Sequence, residues 1–368
     1  MPEGAALTMA AQGPLAGVRV IEFAGIGPGP YAAMLLSDLG AEILRIDRAG
    51  TANWPHDPTY RGRASIAMDL KDPADVARCL AAIEKADVLI EGFRPGVMER
   101  LGLGPEEALG RNPRLIYGRM TGWGQEGPLA HAAGHDINYL ALTGALAAIG
   151  PAGAPPVPPL NLAGDYGGGS LFLVFGIVAA LYERERSGLG QVVDAAIVDG
   201  AASLMSVFWG VLARDPATMR KGRMFLDGSA PFYRCYECAD GKYVSVGPLE
   251  PQFWQELAQR IGAEGLGGQF DHETWPKDAE TLAAIFRTRT RDEWTALLEG
   301  TDACFAPVLE LAEAPAHKHM AARGTFSHAH GLTQPAPAPR FSRTPGAIQG
   351  PPVRTGEGGE DMLRIWGV

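Results

Sequence analysis

The stretch GVRVIEFAGIGPGPYAAMLLSDLGAEILRID, residues 17–47, decides the fold. Its first part, 17–24, is rich in β-branched and aromatic side chains, which predicts a strand that closes at the glycine- and proline-rich loop 25–30. Residues 31–40 then show helical spacing with a proline before them and a glycine at their end, and 41–47 predicts a second strand. A strand, a helix and a strand in this order indicate a parallel sheet with a right-handed crossover.

The same alternation continues to about residue 120. Helices are predicted over 73–85 and around Glu106, and strands over 86–91 and 114–120. We therefore predict the α/β class: a large doubly wound, Rossmann-like parallel-sheet domain, joined to a smaller α+β domain.

The length of 368 residues is too great for one compact core, and shifts in composition indicate where the chain divides. The segment 150–159 contains five prolines and predicts a stiff connector. Residues 231–246 alternate around an Asp240-Gly241 turn, which is typical of a hairpin. We expect residues 1–200 and 335–368 to form the large domain with a C-terminal arm, 201–227 a linker helix, 228–324 the small α+β domain, and 325–334 a second linker.

Composition and charge argue against several classes of protein. The formal net charge of −10 disfavours a nucleic-acid partner, because binding a phosphate backbone needs a basic face. No apolar run approaches a membrane span of about 20 residues, so we expect no membrane partner, and we interpret 170–182 as a buried helix. The start of the chain, 1–13, lacks the features of a signal peptide, and the four cysteines are scattered. The expected location is the cytoplasm.

The loop 25–30 opens a helix after the first strand, where an anionic ligand would meet free backbone N–H groups. A nicotinamide dinucleotide is the obvious alternative, but the third glycine of that fingerprint is replaced by Pro30. Arg45 and Arg48 flank Asp47, the acid that would bind a ribose, and they suit a phosphate-bearing nucleotide better.

Further basic side chains fall near the ends of the early strands. Each one alone is as consistent with a solvated surface as with a site. Together, at one sheet edge of an acidic chain, they predict a pocket for a polyphosphorylated ligand. These residues are Arg61, Arg63, Arg94 and Arg100.

His135 follows a glycine-rich turn and precedes the apolar helical run 140–148. A position at a helix N-terminus would favour the neutral imidazole and suit it to act as a base. A capping or core histidine is the alternative, and the residues alone favour it.

Asp165 lies in the segment NLAGDYGGGS, 161–170, where three glycines follow an acid at a predicted helix start. Glycines there leave room for a group to approach the backbone, so we interpret the N–H groups of 165–167 as donors to a thioester oxygen. A plain N-cap aspartate is the alternative. The Cys235–Cys238 pair and the histidines near residue 320 do not match a metal-ligand pattern, so no metal is predicted.

Five motifs, in order, resemble those of the α-methylacyl-CoA racemases, a branch of CoA-transferase family III, the superfamily that also contains formyl-CoA transferase. The resemblance runs from Pro14 to about Ser342. The motifs are Glu22–Pro30, Ala41–Arg48, Met120–Gln125, Gly134–Tyr139 and Pro158–Asp165.

The resemblance implies a role for particular residues. The catalytic histidine of the family falls on His135, its catalytic aspartate on Asp165, and the acid that orients the histidine on Glu250. Arg61 to Ala64 match the family pattern less well. Residues implied to contact coenzyme A are Arg48, Met68, Leu70, Gly92, Phe93, Arg94, Arg100 and Tyr139.

The resemblance also implies an interlocked homodimer and an activity. The activity is interconversion of S- and R-2-methylacyl-CoA by two-base proton transfer through an enolate. No metal or redox cofactor is required, because the coenzyme A thioester is itself the substrate. The alternative is a CoA-transferase that uses Asp165 as a nucleophile, which we disfavour because such enzymes generally lack the histidine before Asp136.

Overall fold

The computed structural model describes residues 12–51, 56–263 and 265–368. Most of the N-terminal segment that we interpreted as lacking a signal peptide lies outside these residues. The chain divides into two compact units. The first unit consists of the described residues up to Thr143 together with Leu160–Leu204 and Arg323–Val368, and the second consists of Gly144–Pro159 and Met205–Ala322.

Strands and helices alternate through the first half of the chain, and further elements follow as far as Trp366. The strands are β1 Arg19–Phe23, β2 Glu42–Asp47, β3 Arg63–Ala67, β4 Val88–Glu91, β5 Ile116–Thr121, β6 Gln191–Ala196, β7 Arg234–Glu237, β8 Tyr243–Val246, β9 Phe305–Pro307, β10 Phe326–Ala329 and β11 Leu332–Pro335. The α-helices are α1 Pro28–Asp38, α2 Pro73–Ile83, α3 Val97–Arg100, α4 Pro105–Arg111, α5 Asp136–Leu142, α6 Ala145–Ala148, α7 Leu171–Ser187, α8 Ile197–Leu204, α9 Ser206–Arg214, α10 Pro251–Ile261, α11 Trp275–Phe286, α12 Arg291–Leu298, α13 Lys318–Arg323 and α14 Gly359–Trp366. A π-helix, Leu162–Ser170, leads directly into α7.

The first unit is built on a six-stranded parallel sheet of order β3-β2-β1-β4-β5-β6. Successive residues of β1 face opposite sides: Ile21 packs in the core with α2 and α4, and Val20 packs in the core with α1 and α7. The strand order reverses between β1 and β4, the arrangement of a doubly wound sheet. The predicted α/β class and Rossmann-like sheet are confirmed.

The second unit contains an antiparallel sheet of order β7-β8-β9. The hairpin predicted around Asp240-Gly241 is confirmed, since β7 pairs with β8 in the register Cys235↔Ser245. Large aromatic side chains, including Trp254, Phe286 and Trp294, fill the core between this sheet and helices α10 to α12. The unit thus has a hydrophobic core of its own.

Several elements differ from the sequence predictions. The helical run predicted over 140–148 is two helices, α5 and α6, because Gly144 between them has a φ of 82°. The edge strand β3 was not predicted as an element. Residues 144–159 and 205–227 group with the second unit, whereas the hairpin of β10 and β11 groups with the first.

The π-helix and α7 together, Leu162–Ser187, are long and apolar enough to cross a membrane by length and composition. Only a third of the most apolar window, 33%, is buried. The segment interpreted as a buried helix therefore has an exposed face.

The C-terminal tail packs along the open edge of the sheet. The Ser65 N–H donates to the Glu357 carbonyl (2.8 Å), and Arg61 pairs with Pro352 as an isolated bridge. The tail ends in α14, which was not predicted, and Leu363 and Trp366 of this helix enter the core under β2 and β3. The tail thus completes one face of the large sheet.

We expect Trp366→Ala to lower the free energy of unfolding by about 3 kcal/mol, the cost typical of deleting a buried tryptophan. Trp366 is 3% exposed, and its indole N–H donates to Glu42 Oε2 (2.8 Å). Urea unfolding followed by circular dichroism measures the change. Ile365→Ala, at a 66% exposed position of the same helix, is the control and should change the free energy by less than about 0.5 kcal/mol. Equal values for the two variants would contradict this account of the tail.

Candidate active site

A cavity of about 980 Å³ opens at the carboxyl ends of the first four strands. This is the edge at which open α/β sheets bind ligands, beside the point where the strand order reverses. Its volume is at the upper end of the range for ligand pockets in proteins. Its lining includes residues 23–27 at the end of β1, 45–49 at the end of β2, 68–71 after β3 and Phe93 after β4.

The cavity holds two cations without an ion-pair partner among the described residues, Arg48 and Lys71. Both side chains are exposed. Arg48 was predicted as a phosphate ligand, but Lys71, four residues after the end of β3, was not. The two cations suit the phosphate groups of a nucleotide.

Two of the arginines predicted for the polyphosphate pocket have other partners. Arg61 is buried and forms an ion pair with Asp38, and its Nη1 donates to Gln334 Oε1 (2.7 Å). Arg63 is buried in an ion pair with Glu22 (2.5 Å). The prediction is therefore wrong for Arg61 and Arg63, whose charges are neutralised within the sheet and its flanking segments.

Arg45 lines the cavity, but it is only 3% exposed. Its Nη2 lies 3.0 Å from Asp47 Oδ1, and its guanidinium stacks 4.3 Å from the centre of the Tyr60 ring. Tyr60 also lines the cavity and was not predicted as a site residue. Arg45 thus stiffens the wall, and Tyr60 offers an aromatic surface there.

The residues implied to contact coenzyme A separate into two groups. Arg48, Met68, Leu70 and Phe93 line the cavity. Gly92, Arg94 and Arg100 lie on the segment after β4 and on α3, beside Phe93, with exposed faces but outside the cavity lining. Their roles stay predictions.

Tyr139 lies beneath the segment that carries His135. The ring is 8% exposed and packs edge-on against Trp123 at 4.8 Å. The hydroxyl donates to the Gly134 carbonyl, and a Cβ on Gly122 would lie 2.1 Å from the ring. Tyr139 therefore supports the chain before His135, and a contact with coenzyme A stays a prediction.

His135 lies at the N-terminus of α5, as predicted, and it is the N-cap residue of that helix, the role given above as the alternative. Its backbone N–H donates to Asn138 Oδ1 (3.0 Å), which fixes the start of the helix. The side chain is exposed. The imidazole is therefore accessible from solvent.

Asp165 lies in the first turn of the π-helix and is partly buried. A Cβ on Gly27 would lie 3.0 Å from Asp165 Oδ2, so the carboxylate contacts the loop that lines the cavity. Burial, followed by the negative charge of Asp136, raises the pKa of Asp165 from 3.8 to about 6, and His135 opposes the rise. His135 and Asp165 are thus electrostatic neighbours, and Asp165 adjoins the cavity wall at Gly27.

The backbone N–H groups at Asp165 are engaged. The Asp165 N–H donates to Asp136 Oδ2 (2.7 Å), and the Tyr166 N–H donates to the Asn161 carbonyl (3.1 Å). The prediction that these two groups hold a thioester oxygen is therefore wrong. In the described part of the chain, the N–H groups of Asp136 and Ile137 at the start of α5 have no acceptor.

The glycines after Asp165 accommodate a neighbouring helix. A Cβ on Gly168 would lie 2.7 Å from Ala201 N, and one on Gly200 would lie 1.9 Å from the Gly168 carbonyl oxygen. The π-helix and α8 are therefore packed backbone to backbone. The wider turn of a π-helix is frequent at functional sites.

Glu250, implied to orient the histidine, belongs to the second unit, where it is the N-cap residue of α10 and is exposed. Its role stays a prediction. The described residues contain no group of three or more His, Cys, Asp or Glu side chains arranged to hold a metal ion.

Comparison with known proteins matches residues 15–358 to the family CoA-transferase family III. The chain belongs to this family. An alpha-methylacyl-CoA racemase of Mus musculus is 45% identical over 359 residues, which cover 96% of this chain and 93% of the relative. An alpha-methylacyl-CoA racemase of Homo sapiens is 43% identical over 90% of this chain and 87% of the relative.

The fold is shared with a solved structure. A crystal structure of a CAIB/BAIF family protein from Brucella suis superimposes with a TM-score of 0.83 over 96% of this chain and 100% of the other, at 24% sequence identity. The family match and the two racemase relatives confirm the resemblance inferred from the five motifs.

We expect Gly200→Ala to destabilise the packing of α8 against the π-helix that carries Asp165, because the new methyl group would overlap the Gly168 carbonyl oxygen. The free energy of unfolding should fall by about 2 kcal/mol, measured by urea titration. Gly210→Ala in α9 is the matched control, since nothing lies within 4 Å of its Cβ position and alanine favours a helix. An unchanged Gly200→Ala midpoint would exclude the backbone contact.

Proposed function

We propose that the protein is an α-methylacyl-CoA racemase, an isomerase that interconverts S- and R-2-methylacyl-CoA thioesters. One observation carries the proposal: a carboxylate with a pKa raised to about 6, Asp165, lies within electrostatic range of His135 and contacts the cavity wall at Gly27. The 45% and 43% identical relatives, each named alpha-methylacyl-CoA racemase, support it.

The reaction moves one proton at a single carbon. One side chain removes the proton from the carbon next to the thioester, and the electron pair of the broken C–H bond passes into an enolate. The other side chain delivers its proton to the opposite face of that carbon. By analogy with the family that the chain resembles, His135 serves the S isomer and Asp165 the R isomer, each acting as base in one direction and acid in the other.

The raised pKa of Asp165 suits this chemistry. An acid and base in proton transfer work best when their pKa lies near the working pH. The pair must hold one proton between them, so a carboxyl that is protonated closer to neutrality can act as a donor. The enolate oxygen needs preorganised donors, and the first N–H groups of α5 are the unengaged ones beside His135.

The cavity binds the coenzyme A portion in this proposal. Arg48 and Lys71 contact its phosphates, Met68 and Leu70 its adenine, and Phe93 the adjoining wall. Gly92, Arg94, Arg100 and Tyr139 extend the contact as the family resemblance implies. Glu250 orients His135, and no metal or redox cofactor is required.

The decisive experiment incubates the protein with pure S-2-methylacyl-CoA in deuterated water and follows label uptake and configuration together. We expect exchange with inversion. Asp165→Ala should lose at least about 1,000-fold in rate, because it removes one acid–base group. In His135→Ala, labelling without inversion should become detectable with the R isomer, for which Asp165 still acts as the base.

The alternative is a CoA-transferase in which Asp165 attacks the acyl-CoA. The same preparation is therefore incubated with acyl-CoA and a free carboxylate acceptor. Transfer of coenzyme A to the acceptor, without exchange at the α-carbon, would replace the racemase proposal.

We also propose a cytoplasmic homodimer, interlocked as in relatives of this family. Exposed apolar side chains recur along one face of α7: Leu171, Phe175, Val178 and Tyr182, which are 51%, 73%, 40% and 70% exposed. Their spacing of four, three and four residues makes one continuous stripe. A second copy of the chain would bury this stripe, and dimer formation is the commonest way in which soluble proteins cover such a surface.

We expect the protein to have the mass of a dimer when light scattering is measured after gel filtration without detergent. Phe175→Glu should weaken the dimer, because it places a charge in the apolar stripe. Leu311→Glu changes an isolated side chain, 93% exposed in the second unit, and serves as the control. Monomers of the unmodified protein, or a need for detergent to keep it in solution, would contradict the proposal.

A further inference from the structure

We propose that Asp136 is a positioning residue for Asp165: its carboxylate holds the main chain at Asp165 and sets the charge balance of the proton-transfer pair. The inference rests on the proposed function, because the pair has its meaning in that reaction. Asp136 is the residue after His135 and the first residue of α5. One short segment thereby governs the placement of both reacting side chains.

The contact between the Asp136 carboxylate and the π-helix is close, and it leaves no room for a side chain at residue 164. Asp136 Oδ2 accepts the Asp165 N–H at 2.7 Å. A Cβ on Gly164 would lie 2.2 Å from the same oxygen. Glycine at 164 is therefore required for the Asp136 carboxylate to reach the backbone of the π-helix.

The other carboxylate oxygen is unusual. Asp136 Oδ1 is buried and has no hydrogen-bond partner among the described residues. No Lys, Arg or His in that part of the chain forms an ion pair with Asp136 either. A buried carboxylate oxygen without a hydrogen bond or an ion pair lowers the stability of the fold. Such an unsatisfied group in a folded protein often marks a functional site.

The charge of Asp136 acts on Asp165. It is the second cause, after burial, that raises the pKa of Asp165 to about 6. From α5 and the preceding segment, the titratable groups that face Asp165 are His135, Asp136 and Tyr139. The loop before α1 presents Gly27 to the carboxylate.

The remaining neighbours do not substitute for Asp136. Helix α1 contributes Tyr31, which stacks on Tyr166 at 4.1 Å. Helix α8 packs on the π-helix, and its acid, Asp199, is exposed and is not among the causes of the Asp165 shift. Asp136 is thus the anion that acts on Asp165, and it acts from a fixed distance.

The test separates charge from geometry. Asp136→Asn keeps an oxygen that can accept the Asp165 N–H but removes the charge, whereas Asp136→Ala removes both. Asp199→Asn removes an acid from the helix packed on the π-helix and is the matched control. The kcat/KM for label exchange from S- and R-2-methylacyl-CoA is measured between pH 4 and 9 for each variant.

We expect the acid limb of the pH profile to move to lower pH by about 0.5 to 1 unit in Asp136→Asn. The sign follows because activity is lost at low pH when both groups of the pair are protonated, and a carboxyl with a lower pKa takes up its proton at lower pH. Both directions should shift equally, because the equilibrium between the two isomers links them. Asp136→Ala should in addition lose about tenfold or more in kcat, through misplacement of Asp165.

An Asp136→Asn profile identical to that of the unmodified protein, with a defect in Asp136→Ala alone, would overturn the charge-setting role. Normal kinetics in both variants would overturn the whole inference. The titration of the Asp165 carboxyl, followed by carbon NMR, gives a readout without substrate, and its midpoint should fall in Asp136→Asn. An NMR shift in a protein that exchanges no α-proton would leave the Asp136 contact standing and reject the proposed function instead.

Discussion

The hydrogen bond from the Asp165 N–H to the Asp136 carboxylate is the interaction on which the site depends. It joins the π-helix to the start of α5, so that the segment bearing His135 and the segment bearing Asp165 are held in one arrangement. The bond requires glycine at 164, and the position of the π-helix requires the close approach of Gly168 and Gly200. The glycines of this sequence therefore allow close helix packing. The backbone N–H groups of Asp165 and Tyr166 donate to acceptors within the protein and are not free to bind substrate.

The parallel sheet supplies the second half of the site. Because the carboxyl ends of β1 to β4 meet at one edge, residues distant in sequence line a single cavity, and Gly27 connects that cavity to Asp165. The C-terminal tail covers the lateral edge of the sheet, since it pairs beside β3 and anchors through α14. In the proposed reaction, the cavity at the sheet edge binds the coenzyme A portion of the substrate, and the helical segments beside it carry the proton-transfer pair.

The fold was predictable because its signals are local. The run 17–47 contains the strand, turn, helix and strand in plain order, and the hairpin at Asp240-Gly241 has the expected turn. The fates of Arg61 and Arg63 were not predictable, because their partners Asp38 and Glu22 are distant in sequence and only the folded sheet brings them together. His135 and Asp165 could be identified as candidate catalytic residues from the sequence. The role of Asp136 could not, because it depends on a hydrogen bond to a residue 29 positions away that only the folded chain brings close.

The raised pKa of Asp165 suits a reaction that runs in both directions. Burial and the charge of Asp136 raise this pKa from 3.8 to about 6, so the carboxyl keeps its proton closer to neutral pH than an ordinary aspartate does. Interconversion of the two configurations needs a base on one face of the carbon and an acid on the other, and a carboxyl that titrates closer to the working pH can take either part. A nucleophilic aspartate has no need of a raised pKa, which is why an anion held against Asp165 is better explained by a site that works in both directions.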